Sequence, residues 1–192
     1  MLIEGSALIT GASRGIGRVI AMRLAAQGLA IGVNYRERHS EAESVVEAIQ
    51  SAGGKAVAIQ ADVASDDEVA GLVDRAEEAL GPLSIVVNNA GITRDRLLIQ
   101  MSEADWLDIW RTDLAGTRTV CRAAEKRMVP RRAGRIINVS SVVGTGGNAG
   151  QANYAAAKAA VLGLTREFAV RCAPSGVTVN CVVPGYIDTD AT

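Results

Sequence analysis

From one end to the other, the chain alternates between short unbroken runs of aliphatic residues and longer stretches with helical periodicity. The short runs are Ser6 to Ile9, Ala30 to Asn34, Ala56 to Gln60, Ile85 to Asn88, Arg135 to Ser140 and Val177 to Val182. Each is apolar at consecutive rather than alternate positions, the pattern of a strand buried on both faces. Helical patterns fill the intervals at about 16 to 27, 40 to 52, 66 to 80, 102 to 128 and 153 to 173. Strand, helix, strand, repeated, leaves a parallel sheet with helices on both faces as the compact solution. The expected fold class is α/β, a doubly wound parallel sheet forming one domain over 1–192, a length that one core can fill. An apolar fraction of 48% with only 3% aromatics suits helices packed closely on branched aliphatic strands.

Local punctuation agrees with this division. Ser65 precedes Asp66-Asp67-Glu68 as an N-cap with acids in the first turn, and Gly53-Gly54 and Gly81-Pro82 stop the helices before them. No linker, repeat or low-complexity block interrupts the pattern, and the glycine-rich stretch 144–150 reads as an active-site loop between a strand and a helix.

Net charge is -1, which points away from nucleic acid or an anionic membrane as the main partner. Uncharged stretches are broken well before the roughly 20 apolar residues of a membrane helix. The opening MLIEGSALIT reads as a first strand, not a signal peptide. Cys121, Cys172 and Cys181 have no metal-ligand spacing, so no metal site is expected; as buried reduced thiols they predict a cytoplasmic protein.

Between the first strand and its helix lies TGASRGIG, Thr10 to Gly17. Gly11 permits a tight turn, Gly15 lets backbone approach a pyrophosphate, and Gly17 lets the helix pack on the strand. Ser13, Arg14 and Ile16 complete this candidate dinucleotide loop. In a chain with 20 glycines such a string also arises by chance, and its place between strand and helix is what gives it meaning. At the end of the second strand an acid would accept from a ribose 2'-hydroxyl and repel a 2'-phosphate. Here the first charge is Arg36, which with Arg14 predicts NADPH; Glu37 is the residue that would reverse the choice, and a solvated charge run is the other reading.

Tyr154 and Lys158 share a helix face, as any i, i+4 pair does. Their setting matters more: the preceding strand ends at Ser140-Ser141, and ligands of doubly wound sheets bind beyond the carboxyl ends of strands, where the glycine loop also sits. A phenol with pKa about 10 is a poor proton donor and acceptor near neutrality unless a cation stabilises its anion. Lys158 supplies that cation, and Ser140 or Ser141 would orient a carbonyl. The single His39 precedes a helix far from this set, which excludes a histidine-based triad.

The GxxxGxG spacing and the order of the motifs resemble the short-chain dehydrogenase/reductase family over nearly the whole chain. The resemblance is carried by Thr10 to Gly17, Asp62-Val63, Asn88-Asn89-Ala90-Gly91, Ser141, Tyr154 to Lys158 and Pro184-Gly185. It implies a Rossmann fold, with Asp62 and Val63 meeting the adenine and Asn89, Ala90 and Gly91 in backbone contact with the cofactor. Pro184, Gly185, Ile187 and Thr189 would surround the nicotinamide carboxamide. It further implies that Ser141 orients the substrate, that Tyr154 donates the proton, and that Lys158 assists Tyr154 and holds the nicotinamide ribose.

Two departures stand out. Asp113 falls where the family usually has an asparagine that holds a water beside the catalytic lysine; it is expected to support a proton relay to Lys158 while its charge partly offsets the lysine's. Members also usually continue past this point into a substrate-covering helical segment and a last strand, which the sequence is expected to lack.

Within the family, GRIINVSSVVGTGGNAGQANYAAAKAA and VTVNCVVPGYIDTD look most like beta-ketoacyl-[acyl-carrier-protein] reductases of fatty-acid and related polyketide synthesis. The implied reaction is NADPH-dependent reduction of a 3-oxoacyl thioester to the 3-hydroxyacyl form by a homo-oligomer, dimer or tetramer. An acidic carrier protein could dock on Arg127, Arg131, Arg132 and Arg135, which otherwise read as solvated charges around a helix end. A reductase of another alcohol or carbonyl, such as a sugar or steroid, is the alternative within the fold. A catalytically silent NADP-binding protein is the alternative outside enzyme chemistry.

Overall fold

Each aliphatic run forms a strand in the computed structural model, which describes residues 5–189. The strands are β1 (Ser6–Ile9), β2 (Ala30–Tyr35), β3 (Ala56–Gln60), β4 (Leu83–Asn88), β5 (Arg135–Val139) and β6 (Thr178–Val182). They form one 6-stranded sheet in the order β3-β2-β1-β4-β5-β6, with parallel pairing throughout. The order reverses between β1 and β4, so their carboxyl ends bound the crevice where such sheets bind ligands.

Side chains alternate across a strand, and β1 therefore feeds two cores. Leu8 joins a cluster with Val69, Leu72, Val120, Met128 and Phe168 beneath α3 (Asp66–Leu80), α5 (Thr117–Arg131) and α7 (Ala152–Cys172). Ala7 and Ile9 join Ala21, Val45, Val46 and Ile49 beneath α1 (Gly15–Ala25) and α2 (His39–Ser51). Both sheet faces are covered, which explains the continuous apolar runs. The predicted stops are in place: Ser65 Oγ accepts from Glu68 N–H at 3.4 Å, and Gly53 and Gly81 both adopt a φ of +82°.

The span expected as one helix at 102–128 is divided. Ser102 and Asp105 form a reciprocal capping box for α4 (Glu103–Ile109), a π-helical turn covers Trp110–Gly116, and α5 then runs to Arg131. A π turn widens the helix by one residue per turn and re-aims a side chain. Here it carries Asp113, which is 0% exposed. The 144–150 stretch is only partly loop, because Val143–Gly146 makes a short helix, α6. Cys121 and Cys172 are buried as expected, and burial pushes the Cys121 thiol up to about 12; Cys181, on the edge strand β6, is half-buried instead.

Beneath the carboxyl ends lies a buried polar cluster. Asn88 Nδ2 donates to Asn138 Oδ1 at 2.8 Å and to Cys121 Sγ at 3.2 Å, while Asn138 Nδ2 donates to Thr165 Oγ1 at 2.9 Å. Thr165 in turn donates to the Val161 carbonyl at 2.7 Å. The cluster ties β4, β5, α5 and α7 together without any exposed member. Asn138→Ala strips the oxygen acceptor from a buried amide and is expected to destabilise the protein by roughly 1–3 kcal/mol in urea unfolding; an unchanged midpoint would contradict the cluster's structural role.

Candidate active site

The glycine loop leaves β1 through Thr10, whose hydroxyl oxygen accepts from the N–H groups of Asn89 and Ala90, both at 3.0 Å. Asn89 Nδ2 returns the tie by donating to the carbonyls of Thr10 (3.0 Å) and Gly11 (3.1 Å). From the other side, Asn34 Oδ1 accepts from Gly11 N–H at 3.2 Å while its amide donates to the Ile59 and Ala61 carbonyls. The loop is thus held by β2, β3 and the end of β4. Gly11 and Gly15 have φ values of +61° and +54°, left-handed positions that other residues rarely take. A Cβ on Gly17 would lie 2.4 Å from the Gly11 carbonyl and 2.5 Å from Asn89 Nδ2, so α1 reaches the loop only with glycine there.

These features fit a dinucleotide. A Cβ on Gly15 would meet nothing nearer than Thr189 Cβ at 3.8 Å, so backbone stays approachable at the start of α1, where the helix's free N–H groups favour phosphate. The same contact brings Thr189 of the Pro184–Thr189 loop over the glycine loop. Pro184 itself accepts from Val142 N–H at 3.0 Å, and Ile187 is partly exposed in the same loop. Ser13 is buried, Arg14 is exposed, and Ile16 is half-buried. Just after β2, Arg36 pairs with Glu37 at 2.9 Å and stands 3.9 Å from Asp62. Asp62 Oδ1 accepts from Ala64 N–H at 2.9 Å, while Val63 is buried.

Lys158 and Asp113 form the buried heart of the site. Their side chains, 5% and 0% exposed, approach to 3.1 Å between Nζ and Oδ2. This approach is an ion-pair contact that does not line up as a hydrogen bond. Asp113 Oδ1 accepts from Ile92 N–H at 2.9 Å, and Lys158 Nζ donates to the Val139 carbonyl at 3.2 Å. Burial pushes the Asp113 carboxyl above its usual range, against the pull of the Lys158 ammonium and the Ile92 N–H. A Cβ on Gly91 would lie 2.7 Å from Asp113 Oδ2 and 3.3 Å from Lys158 Nζ, so the pair itself requires glycine at that place in Asn88-Asn89-Ala90-Gly91.

Tyr154 lies in the first turn of α7, with its ring centroid 5.4 Å from Lys158 Nζ. At that distance the ammonium interacts with the ring and with any charge developing on its oxygen. The turn is fixed by Asn153, whose amide donates to the carbonyls of Arg94 and Asp105 and whose oxygen accepts from Tyr154 N–H. The two adjacent serines differ in environment. Ser140 is buried and donates to the Lys158 carbonyl at 2.7 Å, whereas half-buried Ser141 accepts from Val143 N–H at 3.2 Å.

Asn34, Asn138 and Asn153 organise the site without having been marked as site residues from sequence; only an asparagine at a strand or helix end hinted at them. The basic cluster is already engaged. Arg127 pairs with Asp74 and with Glu77 (3.8 Å), and Arg131 with Glu77 (2.6 Å). Arg132 donates to the Pro174 carbonyl, and Arg135 to the Gly134 and Gly176 carbonyls. These bonds favour structural helix-end charges over a free docking patch. A groove of 410 Å³ between α3 and α5, lined by Asp66, Asp74, Thr119 and Arg122 among others, shares no residue with Tyr154 and its neighbours.

The chain matches the short chain dehydrogenase family over residues 6–192 and belongs to it. It is 50% identical over 192 residues to the 3-oxoacyl-[acyl-carrier-protein] reductase FabG of Staphylococcus aureus, covering 100% of this chain and 78% of that protein. To the 3-oxoacyl-[acyl-carrier-protein] reductase of Synechocystis sp. it is 48% identical over 186 residues, 97% of this chain and 75% of that one. The FabG of Pseudomonas aeruginosa is 45% identical over 193 residues, with coverage of 100% and 78%.

The raised Asp113 carboxyl fixes the sign of a pH effect. A group that binds its proton more readily folded than unfolded contributes stability at low pH that is lost as pH rises through its raised range. Lys158→Met removes the opposing cation and is expected to destabilise the protein by about 3–5 kcal/mol at neutral pH. The loss should shrink at acid pH, where Asp113 is protonated. Urea unfolding at the two pH values checks this, and an equal loss at both would contradict it.

Proposed function

We propose that the chain reduces a 3-oxoacyl thioester carried on acyl-carrier protein to the 3-hydroxyacyl thioester, using NADPH, in fatty-acid or related polyketide synthesis. The observation that carries the reading is Tyr154 standing 5.4 Å from the buried Lys158 ammonium, at the sheet end that also bears the glycine loop. The names of the relatives supply the substrate class.

Gly11 to Gly17 would hold the pyrophosphate, and Asp62 and Val63 would meet the adenine. Arg14 and Arg36 would take the 2'-phosphate; Asn89, Ala90, Gly91, Pro184, Gly185, Ile187 and Thr189 would enclose the nicotinamide half. Bound there, the cofactor supplies the hydride. Tyr154 then gives its proton to the carbonyl oxygen, which Ser141 orients by a hydrogen bond. Lys158 stabilises the negative charge left on the Tyr154 oxygen and has donor capacity for the nicotinamide ribose, because an ammonium carries three N–H groups. Asp113 fixes the ammonium and offsets part of its field. Ser140 acts only on main chain.

Free, buried Cys121 and Cys172 support a reducing, cytoplasmic setting. No helix among the described residues is long and apolar enough to cross a membrane. Assembly as a dimer or tetramer rests on the family resemblance alone.

The test is oxidation of NADPH in the presence of an acetoacetyl thioester. The purified chain should turn it over, and Tyr154→Phe should lose on the order of 10²- to 10⁴-fold in kcat. Turnover only with sugar or steroid carbonyls would overturn the substrate assignment, and activity retained by Tyr154→Phe would overturn the proton donor.

A further inference from the structure

We propose that Asp95 is a positioning residue for the reduction, holding the glycine-rich loop at 147–151 in place through Gln151. The acyl substrate then meets Ser141 and Tyr154 in one fixed arrangement. The proposal rests on the reductase reading of Tyr154 and Lys158.

Residues 94–96 run between α4 and the start of α7, and their side chains divide between the two. Arg94 and Arg96 turn to α4, where they pair with Asp108 at 3.4 Å and with Asp105 at 3.3 Å. Asp95 turns the other way, and its Oδ2 accepts from Gln151 Nε2 at 2.9 Å. The main chain reinforces this contact: the Arg94 carbonyl accepts from Asn153 Nδ2 at 3.3 Å, and Arg96 N–H donates to the Gly150 carbonyl at 2.8 Å. Three consecutive residues thus grip residues 150, 151 and 153, immediately before Tyr154. Two of them do so through main chain alone, so Asp95 is the one whose side chain decides the grip among the described residues.

Gln151 stands just before α7, yet its side chain does not cap the helix. It is shared instead between Asp95 and the loop, its Oε1 accepting from Asn148 Nδ2 at 3.0 Å. The stretch it holds has little packing of its own. Residues 145–149 are exposed, Gly147 and Gly150 adopt φ values of +76° and +83°, and a Cβ on Gly146 or Gly147 would meet nothing within 4 Å. This stretch nevertheless joins α6, which begins two residues after Ser141, to α7, which carries Tyr154 in its first turn. With Gln151 released, the loop samples several arrangements, of which a fraction suits the substrate, and apparent affinity falls by that fraction. Once the substrate has selected the right arrangement, the chemical step proceeds as before. The loss therefore falls on KM and not on kcat.

The test is steady-state reduction of an acetoacetyl thioester by the wild type, Asp95→Ala, Asp95→Asn, Gln151→Glu and the double variant Asp95→Asn with Gln151→Glu. NADP+ titration calorimetry and urea unfolding accompany each. Asp95→Ala removes the acceptor and should raise KM for the thioester roughly three- to tenfold at unchanged kcat, the worth of one exposed hydrogen bond to a charged group. Asp95→Asn keeps an oxygen for Gln151 Nε2 and should stay near the wild type. Gln151→Glu sets two carboxylates face to face and should raise KM as Asp95→Ala does. Adding Asp95→Asn restores that bond with donor and acceptor exchanged, and KM should return. NADP+ affinity and the urea midpoint should hold throughout. A wild-type KM in Asp95→Ala, no recovery in the double variant, or a KM rise accompanied by weaker NADP+ binding or a lower midpoint overturns the positioning role while leaving the reductase reading intact. A wild type that does not turn over the thioester overturns both.

Discussion

A lysine ammonium and an aspartate carboxylate withdrawn from water together, Lys158 and Asp113, are the contact on which the rest of the site depends. Each group alone would be too costly to bury, and each is here because the other is. The surrounding peculiarities follow from housing the pair. The π turn at Trp110–Gly116 carries Asp113 inward, and Ile92 N–H satisfies one carboxylate oxygen. The Val139 carbonyl accepts a hydrogen bond from the ammonium, and Gly91 must lack a side chain because the pair fills the space one would occupy. Even Ser140 serves it, by gripping the main chain of Lys158.

An ion pair of this kind is weak support for overall stability, since hydrophobic replacement of both partners often costs little. Its use is positional. It fixes a cation 5.4 Å from the ring of Tyr154, on a helix turn that Asn153 independently holds in place. The polar cluster of Asn88, Asn138 and Thr165 fastens the sheet floor beneath the same point. The proposed chemistry thus sits where two sheet strands, the π turn and α7 constrain one another.

Most of the fold was legible in the sequence because strands buried on both faces read as unbroken aliphatic runs. The exceptions have local causes. β4 begins at Leu83, earlier than its apolar run suggests, because Ser84 interrupts the pattern without interrupting the strand. The break at residues 110–116 is invisible to periodicity, since it answers to a lysine more than 40 residues later. Cys181 was expected to be buried, but β6 is an edge strand with one side open. In the site, the glycine loop and Tyr154 with Lys158 were legible through spacing and order. Asn34, Asn138 and Asn153 were not, because their partners come from other elements. The arginines at 127 and 131 looked free for the same reason: Asp74 and Glu77 lie on a different helix.

In the proposed reaction the charge on Asp113 governs how strongly Lys158 acts on Tyr154, and one comparison reaches it directly. The pH dependence of acetoacetyl-thioester reduction should be measured for the wild type and Asp113→Asn, which keeps an oxygen for Ile92 N–H but removes the charge. With the ammonium's field no longer offset, the alkaline limb of kcat, where the proton donor is lost, should move to lower pH. A limb that stays where the wild type has it would contradict the account.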